Sequence, residues 1–345
     1  MSVKSLILGL SLVFGAGTAM AQGFAGLGQT TEGFALPDPD TRFVYPDDHG
    51  SHPEFRIEWW YITANLEDVE GTPYGVQWTL FRSALAPGGA EEDQAWMAHA
   101  AVSTPEGHRF AERFARGGAG TVGVTAEPYD AFLDEWRLAG PTLNEVRMTA
   151  QGSDFHYDLA LNADRPFVAQ GAEGYSVKSE AGQASHYYSQ PFYKVNGTIT
   201  LPEGSVQVTG KAWLDREWSS QPLTESQTGW DWVSLHFRTG EKLMGYRLRD
   251  TDGGDYTVGT WIRPDGTPEP LSPGALTMTP VDWSDTQGGK VPTTWQVTLP
   301  AKSLDLRVTA IYPDSWMGTL VSYWEGPVEV TGSHPGIGYL EMSGY

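Results

Sequence analysis

Five short stretches set carboxylates among aromatic rings: Glu58-Trp59-Trp60-Tyr61, Trp213-Leu214-Asp215-Arg216-Glu217-Trp218, Gly229-Trp230-Asp231-Trp232, Tyr323-Trp324-Glu325-Gly326 and Tyr339-Leu340-Glu341. A carboxyl group held among indole rings loses hydration, so its pKa rises and it can stay protonated near neutral pH. Such an acid can give its proton to a substrate, and the ring faces beside it can steady a developing cation. The competing reading is structural: the carboxylates accept hydrogen bonds from indole N–H groups and nearby arginines, and so pin the fold. For any one stretch the structural reading is the stronger. Five together favour a functional pocket.

On a β-strand alternate side chains share a face. Trp213, Asp215 and Glu217 then project together, with Leu214, Arg216 and Trp218 opposite; Glu58 pairs with Trp60, and Trp59 with Tyr61. The candidate catalytic groups are therefore Asp215, Glu217, Asp231 and Glu58. The candidate walls of the pocket are Trp59, Trp60, Tyr61, Trp213, Trp218, Trp230, Trp232, Tyr323, Trp324, Glu325 and Tyr339.

Other chemistries lack their marks. The histidines show no His-x-His or His-Glu-x-x-His spacing, so no metal site is expected. His99, between Ala98 and Ala100, reads as a satisfied core histidine, and His49 and His52 as a cap on the first barrel. There is no G-x-S-x-G elbow and no cysteine, so a hydrolytic nucleophile is not signalled. The run 118–123 formally matches G-x-G-x-x-G but lacks a strand before and a helix after, and reads as a loop. No cofactor is expected.

The elements that must position these groups are strands. The runs 59–66, 74–82, 96–103, 156–161, 197–201, 205–213, 232–237, 242–249, 256–262, 294–299, 303–312 and 328–331 are rich in Val, Thr, Trp and Tyr and bounded by Gly, Pro and Asp. No window sustains an apolar stripe of helical period. The pattern predicts an all-β protein with little helix, built of antiparallel barrels or sandwiches. The length of 345 residues exceeds what one barrel usually holds. Two domains are expected, 49–200 and 201–345, preceded by an extended arm over 22–48. With 14 Trp, 15 Tyr and 13 Phe there is aromatic area enough to fill both cores.

The N-terminus reads as a leader: Lys4, an apolar run over 5–16, then Ala19-Met20-Ala21 as a small-x-small cleavage site. The apolar run is shorter than the roughly 18–20 residues a spanning helix needs. The expectation is cleavage after Ala21, a periplasmic or secreted location, and no transmembrane segment in the mature chain. A net charge of −21 argues against nucleic acid, which needs clustered Lys and Arg.

The aromatic stretches also carry a family likeness. "HPEFRIEWWYITANL" followed by "YGVQWTLFR" resembles the opening of the AttH-like, carotenoid 1,2-hydratase-related family of lipocalin-like proteins. So do "YYSQPFYKVNGTI", "VTGKAWLDREWSSQPL", "GWDWVSLHF", "LMGYRLRD", "YWEGPVEVTG" and "GYLEMSGY". The likeness runs from about His49 to Tyr345. It implies a pair of lipocalin-like β-barrel domains and a crevice for a hydrophobic small molecule. Arg216 stands where the family often carries histidine, which puts in doubt any proton transfer assigned to that position.

Three functions follow from the resemblance. The first is cofactor-independent hydration of an alkene in an isoprenoid or lipid-like molecule. The second is a non-catalytic carrier of a lipid or terpenoid in the periplasm, associated with an ABC transporter permease. The third and weakest is a secreted hydrolase.

Overall fold

The computed structural model describes residues 31–252 and 254–345. The leader expected over 1–21 and the first part of the arm lie outside the described residues. Strands dominate, as the alternation and turn chemistry predict, and they form two curled antiparallel sheets. One is nearly closed into a barrel and the other is a half-barrel.

The first sheet contains β1 (Ile57–Glu67), β2 (Pro73–Ala84), β3 (Gln94–Thr104), β4 (Gly107–Arg116), β5 (Val122–Thr125), β6 (Tyr129–Leu133) and β7 (Trp136–Thr142). It continues with β8 (Glu145–Gln151), β9 (His156–Asn162), β10 (Val168–Ala169), β11 (Tyr175–Val177), β12 (Ala184–Leu201) and β13 (Gly204–Ser219). Its order is β4-β3-β2-β1-β13-β12-β9-β8-β7-β6-β5, with β10 and β11 beside β12. The second sheet contains β14 (Gln227–Phe237), β15 (Lys242–Asp250), β16 (Tyr256–Ile262), β17 (Pro268–Pro270), β18 (Thr277–Thr286) and β19 (Gly289–Leu299). Then come β20 (Leu304–Ala310), β21 (Trp316–Met317), β22 (Tyr323–Gly332) and β23 (Gly336–Ser343). The order is β17-β16-β15-β14-β23-β22-β20-β19-β18, with β21 on β22.

The chain passes between sheets after β13, over 220–226. Gly204–Ser219, assigned to the C-terminal half by the expected division at 200/201, therefore pairs within the first sheet, against β1 and β12. Pro191, which suggested a break, is absorbed by a bulge between Gln190 and Tyr193 in the long strand β12. The segment 118–123 enters β5 at Val122 and follows Gly118 and Gly120 at positive φ, with no helix after it.

Three large cores, and a small one around Ala101, Met317 and Tyr323, hold the described residues together. One fills the first barrel, around Trp60, Trp78, Trp136 and Trp218. A second fills the half-barrel, around Trp261, Trp295 and Trp324. The third lies between the sheets and joins Tyr61, Tyr187 and Trp213 of the first to Trp232, Tyr246 and Tyr339 of the second. The arm closes one mouth of the barrel: His49 Nδ1 lies 2.7 Å from Tyr188 Oη, and His52 stacks on Trp218 at 4.0 Å. Among the described residues no helix is long and apolar enough to cross a membrane.

Candidate active site between the two sheets

Alternation along β1 and β13 sorts the aromatic stretches into two groups. In the antiparallel register Tyr61 faces Asp215 and Trp59 faces Glu217, whereas Trp60 faces Arg216 and Glu58 faces Trp218. The first four side chains look toward the second sheet and the others look into the barrel.

Where the sheets meet there is a cavity of about 240 Å³. Its walls come from both halves: Trp59, Tyr61, Asp215 and Glu217 from the first sheet, and Trp230, Trp232, Tyr323 and Glu341 from the second. Phe81, Met97, Leu223 and Leu248 add apolar surface. An apolar pocket with a few convergent polar groups is the usual form of a small-molecule site.

Asp215 lies on the cavity wall and is almost wholly buried. Its Oδ1 accepts from Trp213 Nε1 at 2.7 Å and from Ser189 Oγ, and its Oδ2 accepts from Tyr187 Oη at 2.6 Å. Trp232 Nε1 in turn donates to Tyr187 Oη at 3.3 Å. Burial pushes the Asp215 carboxyl up to about 7; the three donors oppose the rise and neighbouring Glu217 adds to it. Glu217 is held differently. Lys178 Nζ lies 2.7 Å from its Oε1, and Ser185 Oγ donates to the same oxygen. Burial works against the Lys178 ammonium, but Glu217 outweighs it and raises the lysine's pKa. The ammonium also sits over the rings of Tyr246 at 4.4 Å and Tyr187 at 4.8 Å.

Glu341 is the third acid of the cavity. Trp230 Nε1 donates to its Oε1 at 2.5 Å, and burial pushes it up to about 7 as well. Behind it Glu325, its cross-strand neighbour, accepts from Tyr61 Oη at 2.6 Å. The pocket thus carries two carboxyls poised to hold or release a proton near neutral pH, Asp215 on one wall and Glu341 on the other, with the ion-paired Glu217 beside Asp215.

Of the residues expected from the sequence, Asp215, Glu217, Trp59, Tyr61, Trp230, Trp232 and Tyr323 line the cavity. The rest stand away from it. Glu58 lies inside the barrel, held by Arg82 and Arg216 and, at 3.5 Å, by His52. Trp60 and Trp218 share that face and pack in the barrel core, with the Arg216 guanidinium 3.9 Å above the Trp60 ring. Asp231 alternates with Trp230 and Trp232, so it points to the opposite side, where Arg249 and Tyr345 bond to it. Trp324 packs in the half-barrel core for the same reason. Trp213, Glu325 and Tyr339 sit behind the wall and support it. Arg216 faces the barrel, so the departure from histidine there does not touch the pocket.

Sequence reasoning missed Glu341 as a site residue, although it stood in the fifth stretch; its period-two spacing from Tyr339 and Ser343 was the available signal. Lys178, Tyr187, Tyr246 and His99 had none, since only the pairing of distant strands brings them to the cavity. His99 is satisfied, as expected of a core histidine, yet it also lines the cavity, with Nδ1 2.9 Å from Tyr323 Oη and Nε2 3.1 Å from Glu112 Oε1. Among the described residues no group of three or more metal-ligating side chains is placed to hold an ion.

Two curled antiparallel sheets with an apolar cavity between them define a lipocalin-like fold. The AttH-like family model matches residues 36–345, and the chain belongs to that family. An AttH protein from Nitrosomonas europaea is similar over 90% of this chain and 99% of its own, with 32% identity and a TM-score of 0.82. Kievitone hydratase from Nectria haematococca shares the fold at 15% identity and a TM-score of 0.69, over 90% of this chain and 98% of its own. CghA, solved with Sch210972, shares it at 12% identity and a TM-score of 0.55, over 92% and 97%. A search of curated protein sequences returned no match.

Proposed function

We propose that this chain is a cofactor-independent hydratase that adds water across a trisubstituted double bond of an isoprenoid-like molecule. The observation that carries the reading is Asp215: a buried carboxyl on an apolar cavity wall, raised to about 7, with three donors in place for its conjugate base. An acid whose pKa lies near the working pH is the best compromise between being protonated and giving the proton up.

The step balances with these groups. The alkene π pair forms a C–H bond with the Asp215 proton, leaving a tertiary cation on the more substituted carbon. The Asp215 carboxylate keeps its bonds to Tyr187, Ser189 and Trp213. The ring faces of Trp59, Trp230 and Trp232 and the carboxylate of Glu217 face the positive charge. Water forms the C–O bond and gives its proton to Glu341, and the product is a tertiary alcohol. Kievitone hydratase, which shares the fold, is a hydratase by name, and this supports the reading by analogy. We also propose that the reaction takes place after export, on the strength of the leader pattern up to Ala21.

The test is turnover of acyclic isoprenoids (geraniol, farnesol, squalene, lycopene) in heavy-oxygen water, read by mass spectrometry. The expected product carries one labelled hydroxyl, and Asp215→Asn lowers turnover by about 10²–10⁴-fold. Undiminished turnover in both Asp215→Asn and Glu217→Gln would sink the mechanism. A stoichiometric, unaltered lipid in native mass spectra of protein from its own host, with no product from any substrate, would favour the carrier and its transporter partner.

A further inference from the structure

Glu325 is a buried acid that the hydration step does not use. Its side chain faces Tyr61 of β1, Tyr157 of β9, Tyr323 on its own strand, and Tyr339 and Glu341 of β23. Burial pushes it well above the ordinary carboxyl range, and Glu341 adds to the rise. Its Oε1 accepts from Tyr61, while its Oε2 is buried and receives no donor. A carboxyl displaced upward by burial is a neutral acid, with one oxygen to accept and the other able to carry the hydrogen.

The neighbours continue that polarity in both directions. On the pocket side, the Tyr61 hydroxyl that donates to Glu325 stands beside the Glu341 carboxyl. On the other side, the Tyr323 hydroxyl stands beside Glu325, two residues along the same strand face, and 2.9 Å from His99 Nδ1. His99 Nε2 lies 3.1 Å from Glu112 Oε1, which also accepts from the Leu320 backbone N–H at 3.0 Å. An oxygen that already accepts calls for a hydrogen on Nε2, and Nδ1 is then free to accept from Tyr323. His99 is 1% exposed and Glu112 is 20% exposed, so the chain starts on the cavity wall and ends at the surface.

We propose that Glu341, Tyr61, Glu325, Tyr323, His99 and Glu112 form a proton relay that carries the proton of the attacking water to solvent while the pocket is occupied. An apolar molecule in the cavity displaces the water that would otherwise move the proton, and three of the contacts, Tyr61 to Glu325, Tyr323 to His99 and His99 to Glu112, are hydrogen bonds along the way to the surface. The O–H bond of the attacking water breaks toward Glu341. The carboxyls and the imidazole accept on one atom and release from another, each tyrosine oxygen takes one hydrogen as it gives up its own, and Glu112 gives the last proton up. Asp215 regains a proton from solvent when the product leaves, so the net reaction remains alkene plus water. Glu325 stands behind the wall and touches no substrate, and His99, on the wall, serves the relay through its two ring nitrogens. The source of the proton rests on the hydratase reading; the path itself does not.

The two are separated by following exchange as well as turnover. Protein whose cavity is filled with squalane, a saturated branched alkane, is mixed into D2O, and the protonated-carboxyl infrared bands are followed in time. The bands are assigned by their loss in Glu325→Gln and Glu341→Gln. In the wild type they shift promptly; in Tyr323→Phe, and in Glu112→Gln at the surface where folding is not at risk, the shift slows by about ten-fold or more. On any substrate the wild type hydrates, Tyr323→Phe keeps the first turnover and slows the later ones. Exchange in both variants as fast as in the wild type overturns the relay. Slowed exchange in a protein that hydrates no isoprenoid upholds the relay and overturns the hydratase reading instead.

Discussion

The two faces of the β1–β13 ribbon carry the same ingredients and reach opposite ends. On the barrel face Glu58 lies against Trp60 and Trp218, and on the pocket face Asp215 lies beside Trp213 and opposite Tyr61. Both carboxyls are buried. Burial pushes each upward, but the Arg216 and Arg82 guanidiniums beside Glu58 override it and hold that carboxyl well below the usual range. Around Asp215 the partners are neutral hydroxyl and indole donors, and burial prevails. Glu58 is thus an anchor because guanidiniums bond to it directly, and Asp215 an acid because only neutral donors do.

The sharpest way to break this comparison is to neutralise each carboxyl without changing its shape. Glu58→Gln leaves Arg82 and Arg216, both fully buried, without their anion. The expected cost is about 3–5 kcal/mol of folding stability. Asp215→Asn replaces a group that is already close to neutral, and its amide can still bond to Tyr187, Ser189 and Trp213. Its expected cost is about 1 kcal/mol or less. Denaturant midpoints of the two variants decide the matter. Equal losses would mean that the faces do not differ in the way described.

Much of this was legible in the sequence and some was not, for definite reasons. Alternation along 57–61 and 213–218 correctly separated Trp59 and Tyr61 from Glu58 and Trp60, and Asp215 and Glu217 from Arg216 and Trp218. The alternation does not say which face meets the pocket, so Glu58 and Asp231 stood as candidate acids beside Asp215. Arg82 and Arg249, which bind those two, sit on neighbouring strands, and only the register places Arg82 opposite Glu58 and Arg249 diagonally from Asp231, opposite Gly229. The division expected at 200/201 falls in the hairpin that joins β12 to β13 within one sheet, a pairing that no local pattern announces. His99 has the polar partners expected of a core histidine, but its nearness to Glu325 through Tyr323 lies beyond any local pattern.

The pH dependence of stability should show the same opposition with smaller amplitude. Asp215 and Glu341 have folded-state pKa values near 7, above their unfolded values of about 4. The folded state binds the extra protons, so the stability these groups contribute is full below about pH 4 and is lost as pH rises through about 7. Glu58 has the opposite sign: its contribution is present above its unfolded value of about 4.3 and is lost as pH falls below it. Stability should therefore fall on both sides of a mildly acidic optimum. In the double variant Asp215→Asn, Glu341→Gln the neutral-to-alkaline limb should flatten, and in Glu58→Gln the acid limb. Thermal melts across pH report both limbs, and an alkaline limb unchanged in the double variant would contradict the raised values.

The smallest effect expected is also the most direct, because it uses two adjacent residues of one type. Trp60 points into the barrel, where its Nε1 donates to the His49 carbonyl at 2.9 Å and its ring lies under Arg216. Trp60→Phe keeps most of the apolar area but removes the donor and leaves a buried carbonyl short of its partner. The loss should be about 1–2 kcal/mol of stability, with substrate affinity unchanged. Trp59 is partly exposed to the cavity and presents its ring to whatever occupies it. Trp59→Phe removes ring area from the cavity wall, so the effect should appear in binding, as a few-fold rise in KM or ligand Kd, with stability within about 0.5 kcal/mol of the wild type. If the two substitutions exchanged these signatures, the assignment of pocket and barrel faces along β1 would have to be reversed.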